Sequence, residues 1–174
     1  RDSMGAVALN GKIYGLGGNE GQSRLKSCVV YDPTNNTWSA IADMSENRAF
    51  LGAAALNGKI YVVGGYTDGI SSLKSGAVYD PATDSWSATA SMSAAREYLG
   101  LAALEGKVDE DMGRLFAVGG AGLSAEAFTP CKPTPPPPPT PKPTPAPTPC
   151  TKALDVLFLV DASSSIGGAN FAQM

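Results

Sequence analysis

One short segment carries side chains that could hold a metal ion. Asp161, Ser163 and Ser165 occupy alternate positions, so one carboxylate and two hydroxyl groups can converge from a single loop. Hard cations such as Mg²⁺ prefer oxygen ligands of this kind. The apolar run 153–160 precedes the segment and predicts a buried strand, and open α/β sheets hold their ligands where such strands end. Serine-rich turns are also common, so the pattern by itself leaves an ordinary turn open.

The absence of histidine limits the chemistry that this chain can perform. Its 174 residues contain no His, so they cannot supply a Ser-His-Asp or Cys-His nucleophile pair or the imidazole ligands typical of catalytic zinc and copper. The 13 basic and 16 acidic residues include no basic cluster of the kind that nucleic-acid binding requires. No apolar run reaches the roughly 20 residues of a membrane span. We therefore predict a binding protein that is not an enzyme and does not bind nucleic acid.

The elements before residue 130 form an internal repeat. The segment Ala8–Tyr14 returns as Ala55–Tyr61, and a third copy begins at Arg96. Repeats are predicted at 1–47, 48–95 and 96–128. The recurring residues, assigned structural roles, are the glycine pairs Gly17-Gly18, Gly64-Gly65 and Gly119-Gly120, with Tyr31 and Tyr79 and with Trp38 and Trp86.

Each repeat predicts four short antiparallel strands, and the fold class is all-β. Asn57-Gly58 is a strong signal for a type I′ hairpin turn, and 80–84 has the composition of a second turn. The glycine pair ends the second strand, and Tyr and Trp are the expected fillers between neighbouring sheets. Four strands per 47 or 48 residues are typical of a propeller blade.

The order Gly-Gly, Tyr-Asp-Pro, Trp, Met and Arg resembles Kelch repeats. The resemblance covers Arg1 to about Pro130 and implies a partial β-propeller that serves as a recognition module. The third copy lacks a Trp strand, so we expect an incomplete terminal blade whose fourth strand comes from upstream of Arg1. Arg48 and Arg96 are expected to make hydrogen bonds between blades.

Residues 129–151 form a Pro/Thr-rich linker. Twelve of the 14 prolines lie between Pro130 and Pro149, which favours a polyproline II spacer of roughly 60 Å. Its Thr-Pro repeats resemble the O-glycosylated stalks of algal and plant wall proteins, which implies an extracellular or cell-surface location. A PxxP ligand is the alternative. The disulfide candidates Cys131 and Cys150 flank the tract, and an extended tract holds them too far apart to pair with each other.

Residues 152–174 resemble the start of a von Willebrand factor type A domain, an α/β fold. The resemblance rests on the run 154–161, the serines that follow and Asn170-Phe171. It implies a metal-ion-dependent adhesion site in which Asp161, Ser163 and Ser165 help to hold Mg²⁺ and an acidic group of the partner completes the coordination. The other metal ligands would lie beyond Met174, so we do not expect this chain to bind Mg²⁺ tightly. Cys150 resembles the cysteine that some type A domains pair with one after their last helix.

Together these features predict a fragment of a multidomain, extracellular adhesion protein that binds a protein or glycan. The alternative is an intracellular, cytoplasmic Kelch scaffold or substrate adaptor. A galactose oxidase-like enzyme is disfavoured because its copper ligands would include histidine.

Overall fold

The computed structural model describes residues 1–69, 71–105, 113–120 and 124–129, together with the backbone of strand 157–160. Within these residues all regular structure is β-strand and no helix occurs. Three four-stranded antiparallel sheets follow one another along the chain, and we call them blades 1, 2 and 3. This all-β architecture of successive antiparallel sheets confirms the predicted fold class for the repeat region.

The strands follow the predicted repeat. Blade 1 contains β1 (Gly5–Leu9) and β2 (Lys12–Leu16), and after the separate short hairpin of β3 (Asn19–Glu20) and β4 (Ser23–Arg24) it continues with β5 (Cys28–Asp32) and β6 (Thr37–Ile41). Blade 2 repeats this order with β7 (Gly52–Leu56) and β8 (Lys59–Val63), the separate hairpin of β9 (Tyr66–Thr67) and β10 (Ser71–Ser72), and then β11 (Gly76–Asp80) and β12 (Ser85–Thr89). Blade 3 contains β13 (Leu99–Leu104), β14 (Arg114–Gly119), β15 (Ser124–Phe128) and β16 (Leu157–Val160).

The hairpin turns are encoded locally. Asn57 and Gly58 have φ angles of 51° and 73°, as a type I′ turn requires. Because this turn aligns Leu56 with Lys59, it sets the register of β7 on β8. As a result, the apolar side chains of β8 point alternately toward the two neighbouring blades, and all four are buried.

Two apolar clusters hold the blades together. The cluster between blades 1 and 2 includes Tyr14, Leu16, Ile60 and Tyr79. The cluster between blades 2 and 3 includes Tyr61, Val63, Leu115 and Phe128. Each joint is therefore a packed sheet-on-sheet contact.

The first strands β1, β7 and β13 lie next to one another. Gly5 permits the approach of β1 to β7, because a Cβ atom there would lie 2.9 Å from Leu51 Cδ1. Gly52 does the same in the next joint, where a Cβ atom would lie 2.9 Å from that of Leu101.

The fourth strand of blade 3 corrects the sequence interpretation. The backbone of β16 pairs antiparallel with β15, so the third blade is not incomplete. This pairing differs from the expectation of a fourth strand from upstream of Arg1, while the assignment of residues 152–174 to a type A domain stays a prediction. An unpaired β15 would expose a row of backbone N–H and C=O groups, and an apolar run of high β-propensity satisfies them. The metal-site prediction and the linker lie outside the described residues.

Candidate functional site

A buried arginine links blade 1 to blade 2. Arg48 lies in the connection from β6 to β7, and its Nη1 donates to the carbonyl oxygens of Gly64 and Ser75, at 2.9 Å each. Its Nη2 donates to Ser75 Oγ at 2.7 Å and pairs with the Glu46 carboxylate at 2.9 Å. Burial lowers the pKa of Arg48, and the Glu46 charge opposes that shift. Arg48 is thus a structural group, and the predicted hydrogen bonds between blades are present.

The next joint repeats this arrangement with one addition. Arg96 Nη1 donates to Gly119 O and to Ser124 Oγ, both at 2.8 Å. Glu126 is fully buried beside it and accepts hydrogen bonds from the Ser93 backbone N–H at 2.5 Å and the Ser93 hydroxyl at 2.9 Å. The sequence pattern of β15 did not single out Glu126, because its burial depends on Ser93 and Arg96 from the distant β12–β13 connection.

Each glycine pair leaves space for the backbone carbonyl group of the next arginine along the chain. Gly64 has a φ of 63°, and a Cβ atom there would lie 2.5 Å from the Arg96 carbonyl oxygen. Gly65 has a φ of 94° and donates its N–H to the same oxygen at 2.8 Å. Gly18 donates to the Arg48 carbonyl oxygen in the same way, at 2.7 Å. These residues shape the backbone, and none of them lines a phosphate site.

Tyrosine and tryptophan pack together on the last two strands of blades 1 and 2. The rings of Tyr79 and Trp86 lie 5.2 Å apart, and those of Tyr31 and Trp38 lie 5.0 Å apart. Trp86 Nε1 donates to the carbonyl oxygen of Ala42 in the preceding connection at 2.8 Å. Burial raises the pKa of Tyr79, and its hydroxyl donates to Asp84 at 2.8 Å.

A groove opens where the connections of blades 1 and 2 meet. It encloses about 670 Å³ and is lined mainly by polar side chains from the β4–β5 and β6–β7 connections and by β9. Its charged and amide side chains are those of Arg24, Lys26, Asp43, Glu46 and Asn47.

The charges of the groove are partly engaged with one another. Arg24 Nη1 lies 3.4 Å from Asp68 Oδ1, and Arg24 Cζ lies 4.9 Å from the centroid of the Tyr66 ring. Asn47 donates its side-chain amide to the same Asp68 carboxylate. Lys26 and Asp43 are 3.8 Å apart and remain largely in solvent. The groove therefore presents positive and negative groups that a partner's polar side chains can reach.

The lining residues of the groove differ between the first and second repeats, a difference that the sequence analysis did not single out. The positions 48 residues after Arg24, Asp43, Glu46 and Asn47 are occupied by the small residues Ser72, Ser91, Ala94 and Ala95. The arginine, glycine and tryptophan positions recur while these do not. Residues that differ between repeats on a common scaffold are the ones free to serve binding, and they lie in connections, where binding residues concentrate.

Cys28 is a buried free thiol in β5. Burial raises its pKa to about 11, which makes it an unreactive apolar filler. Cys131 and Cys150 lie outside the described residues, as do Asp161, Ser163 and Ser165. Within the described ranges there is no cluster of three or more His, Cys, Asp or Glu residues able to hold a metal ion. The same part of the chain contains no helix with the length and apolarity needed to cross a membrane.

Comparison with known proteins agrees with this geometry. A family model described as the Kelch motif matches residues 1–45 and 47–93, which is more than half of the chain. The chain is also 50% identical over 40 residues to Kelch-like protein 35 of Mus musculus, a stretch that covers 23% of this chain and 7% of that protein. The matched stretch is thus a small part of that relative. The repeated blades, their arginine and glycine joints and the family match together show that this chain belongs to the Kelch-repeat family.

Proposed function

We propose that this chain is a protein-binding module and that its groove between blades 1 and 2 binds a polypeptide segment of a partner. Kelch repeats imply interaction with proteins. One observation carries the choice of the groove: four of its polar lining residues, Arg24, Asp43, Glu46 and Asn47, are replaced by small residues at the equivalent positions of the next repeat, although Lys26 recurs there as Lys74 and the scaffold around them recurs. The partner segment would carry both acidic and basic side chains, because the groove offers both signs of charge.

The second repeat supplies the substitutions for a test. Arg24→Ser, Asp43→Ser, Glu46→Ala and Asn47→Ala install the residues that the second repeat has at these positions. Arg24→Ser, Asp43→Ser and Asn47→Ala leave the arginine joint unchanged, whereas Glu46→Ala removes the carboxylate paired with the buried Arg48, so circular dichroism should first show that the fourfold variant is folded. Peptides selected from a random displayed library against the 174-residue chain should bind the fourfold variant at least tenfold more weakly. Equal binding to both proteins would exclude the groove.

Binding at the groove requires no covalent chemistry, and the proposed activity is non-enzymatic. We place the protein outside the cell, where the Pro/Thr-rich linker is a glycosylated stalk and the type A segment supports adhesion. The donor set Asp161, Ser163 and Ser165 suits Mg²⁺, since all three supply hard oxygen ligands. Adhesion by the intact protein should be lost in EDTA and in Ser163→Ala. Adhesion unaffected by both treatments would exclude the metal site.

The match to Kelch-like protein 35 supports a second candidate function. Kelch-like protein 35 shares 50% identity over 40 residues, and an intracellular scaffold or adaptor is the corresponding alternative. Glycosylation of the Thr-Pro tract on secreted protein separates the two contexts. Its presence supports the extracellular proposal, and an unmodified tract on protein retained in the cell supports the scaffold.

A further inference from the structure

Within the described residues, the large apolar side chains that remain exposed are Met4, Ile13 and Trp38 in blade 1 and Tyr98, Leu104 and Val118 in blade 3. All except Tyr98, whose ring stacks on Phe50, lie on the two outer sides of the blade array. We call the side of blade 1 that bears Met4, Ile13 and Trp38 the entry face, and the side of blade 3 that bears Gly100, Leu104 and Val118 the exit face. Blade 2 has equivalents of both faces, and each is covered by a neighbouring blade.

The entry face repeats a surface that is buried in the joint between blades 1 and 2. Ile60 is 0% exposed against blade 1, whereas Ile13, its equivalent 47 residues earlier, is 45% exposed. Trp86 donates to Ala42 across that joint, whereas Trp38 is 58% exposed and no such bond is found in the described part of the chain. The Tyr31–Trp38 pair already has the spacing of its buried counterpart. The entry face is therefore preformed for a blade.

The exit face repeats the complementary surface. Leu56 and Val63 are buried against blade 3, whereas their equivalents Leu104 and Val118 are 61% and 51% exposed. Gly100 is the third glycine of the series that begins with Gly5 and Gly52. The first two lie against the following blade, but an added Cβ at Gly100 would meet only the Val118 carbonyl oxygen, at 3.9 Å.

The backbone carries the same periodicity. Phe50 donates its N–H to the Ser3 carbonyl oxygen, and Tyr98 donates to the Phe50 carbonyl oxygen, both at 2.9 Å. All three residues have φ between 53° and 57°, so this conformation occurs once per blade. The next bond in the series would run from a Ser3-type N–H to the Tyr98 carbonyl oxygen.

We propose that the exit face of one copy of this chain binds the entry face of a second copy, and the reverse, to form a closed dimer. Within the chain, the surface equivalent to the exit face packs against a surface equivalent to the entry face. The exit face is therefore complementary to an entry face, and the same chain carries one. Two copies of the three described blades place six blades in one ring, within the range of four to eight found in propellers. A twofold dimer also satisfies both faces at once. These lateral faces are separate from the groove, so this proposal does not depend on the proposed function.

The test is the mass in solution and its response to one substitution on each face. Light scattering of the 174-residue chain during gel filtration should give twice 17.8 kDa. Ile13→Glu on the entry face and Gly100→Gln on the exit face should each halve the mass, and Leu104→Glu provides a second exit-face variant. All three positions are exposed, so circular dichroism should retain the strand signal. Ala82→Glu, in the exposed β11–β12 turn of blade 2, should remain dimeric.

Mixing the variants tests the head-to-tail arrangement. Ile13→Glu protein keeps a normal exit face and Gly100→Gln protein keeps a normal entry face, so an equimolar mixture should form a heterodimer although each protein alone is monomeric. A monomeric wild type at all concentrations, an assembly larger than a dimer, or a dimer that survives either substitution would each overturn the proposal. So would a mixture of folded variants that stays monomeric.

Discussion

Arg48 and Ser75 are joined by two hydrogen bonds, from Nη1 to the serine carbonyl oxygen at 2.9 Å and from Nη2 to the serine hydroxyl at 2.7 Å. Equivalent pairs occur in the other blades as Arg96 with Ser124 and Arg1 with Ser27. The first two arginines are buried and the third is exposed. The same contact therefore recurs in each blade, and its burial depends on its position in the array.

Arg48→Met should destabilise the protein by about 3 kcal/mol. The substitution keeps much of the apolar stem but leaves the buried Gly64 carbonyl oxygen without its donor, at about 1–3 kcal/mol, and also removes the two hydrogen bonds to Ser75, whose carbonyl oxygen keeps the Gly64 N–H. Urea unfolding measures the loss. Arg1→Met is the matched control and should cost less than about 1 kcal/mol, because Arg1 is exposed. Similar losses for both variants would contradict the proposed importance of burial.

Gly64→Ala should be more destabilising than Gly58→Ala. Both glycines have positive φ, at 63° and 73°, so each substitution carries a backbone cost of about 1–2 kcal/mol. Only at Gly64 would the new Cβ also collide with backbone, 2.5 Å from the Arg96 carbonyl oxygen. We expect an additional loss of about 1–3 kcal/mol in thermal or urea unfolding. An equal effect at the two sites would mean that the joint relaxes around the methyl group.

Glu126→Ala should lower stability by about 2 kcal/mol, although alanine is the residue at the equivalent position, 77, in blade 2. Removal of the carboxylate leaves the part-buried Ser93 backbone N–H without its acceptor and takes away the negative charge 3.8 Å from Nε of the buried Arg96. Ser93→Ala removes only the hydroxyl bond, and combining it with Glu126→Ala forms a double-mutant cycle. Additive losses from the two substitutions would show that the two side chains do not act together.

Stability should fall in acid partly because Asp84 becomes protonated. The Ala42 backbone N–H and then the Tyr79 hydroxyl lower the pKa of Asp84 in the folded protein. The unfolded state therefore binds more protons in acid, and stability present above the unfolded pKa of about 4 is lost as the pH falls through the folded pKa. Asp84→Asn should make the urea midpoint fall less steeply between pH 5 and pH 3, with Glu20→Gln, at an exposed site, as the control.

Asp32 should contribute to the same acid transition. Hydrogen bonding to the Thr34 side chain and then the Lys12 side chain lowers its pKa to about 2. Its contribution is therefore present above about pH 4 and declines down to about pH 2. A nuclear magnetic resonance titration of this carboxyl group gives the folded pKa directly. A midpoint near 4 would show that the Thr34 and Lys12 contacts do not persist in solution.

The sequence by itself determined the blades, because their strands and turns depend on local chemistry. Asn57-Gly58 adopts the positive φ angles of its turn wherever it occurs, and the spacing of Gly64, Tyr79 and Trp86 repeats the design of the preceding blade. Sequence comparison between the repeats also contained the signal for the groove, although that signal could be interpreted only after the groove had been located.

Only the tertiary structure decided which distant groups meet. Arg24 and Asp68 are 44 residues apart and lie together because two connections end at the same side of a joint. Glu126 is buried because Ser93 comes from the connection that precedes its blade. The pairing of β16 with β15, and the exposure of Ile13 where Ile60 is covered, follow from which neighbour is present. Identical local patterns have different environments in each blade, since burial is a property of the assembled array.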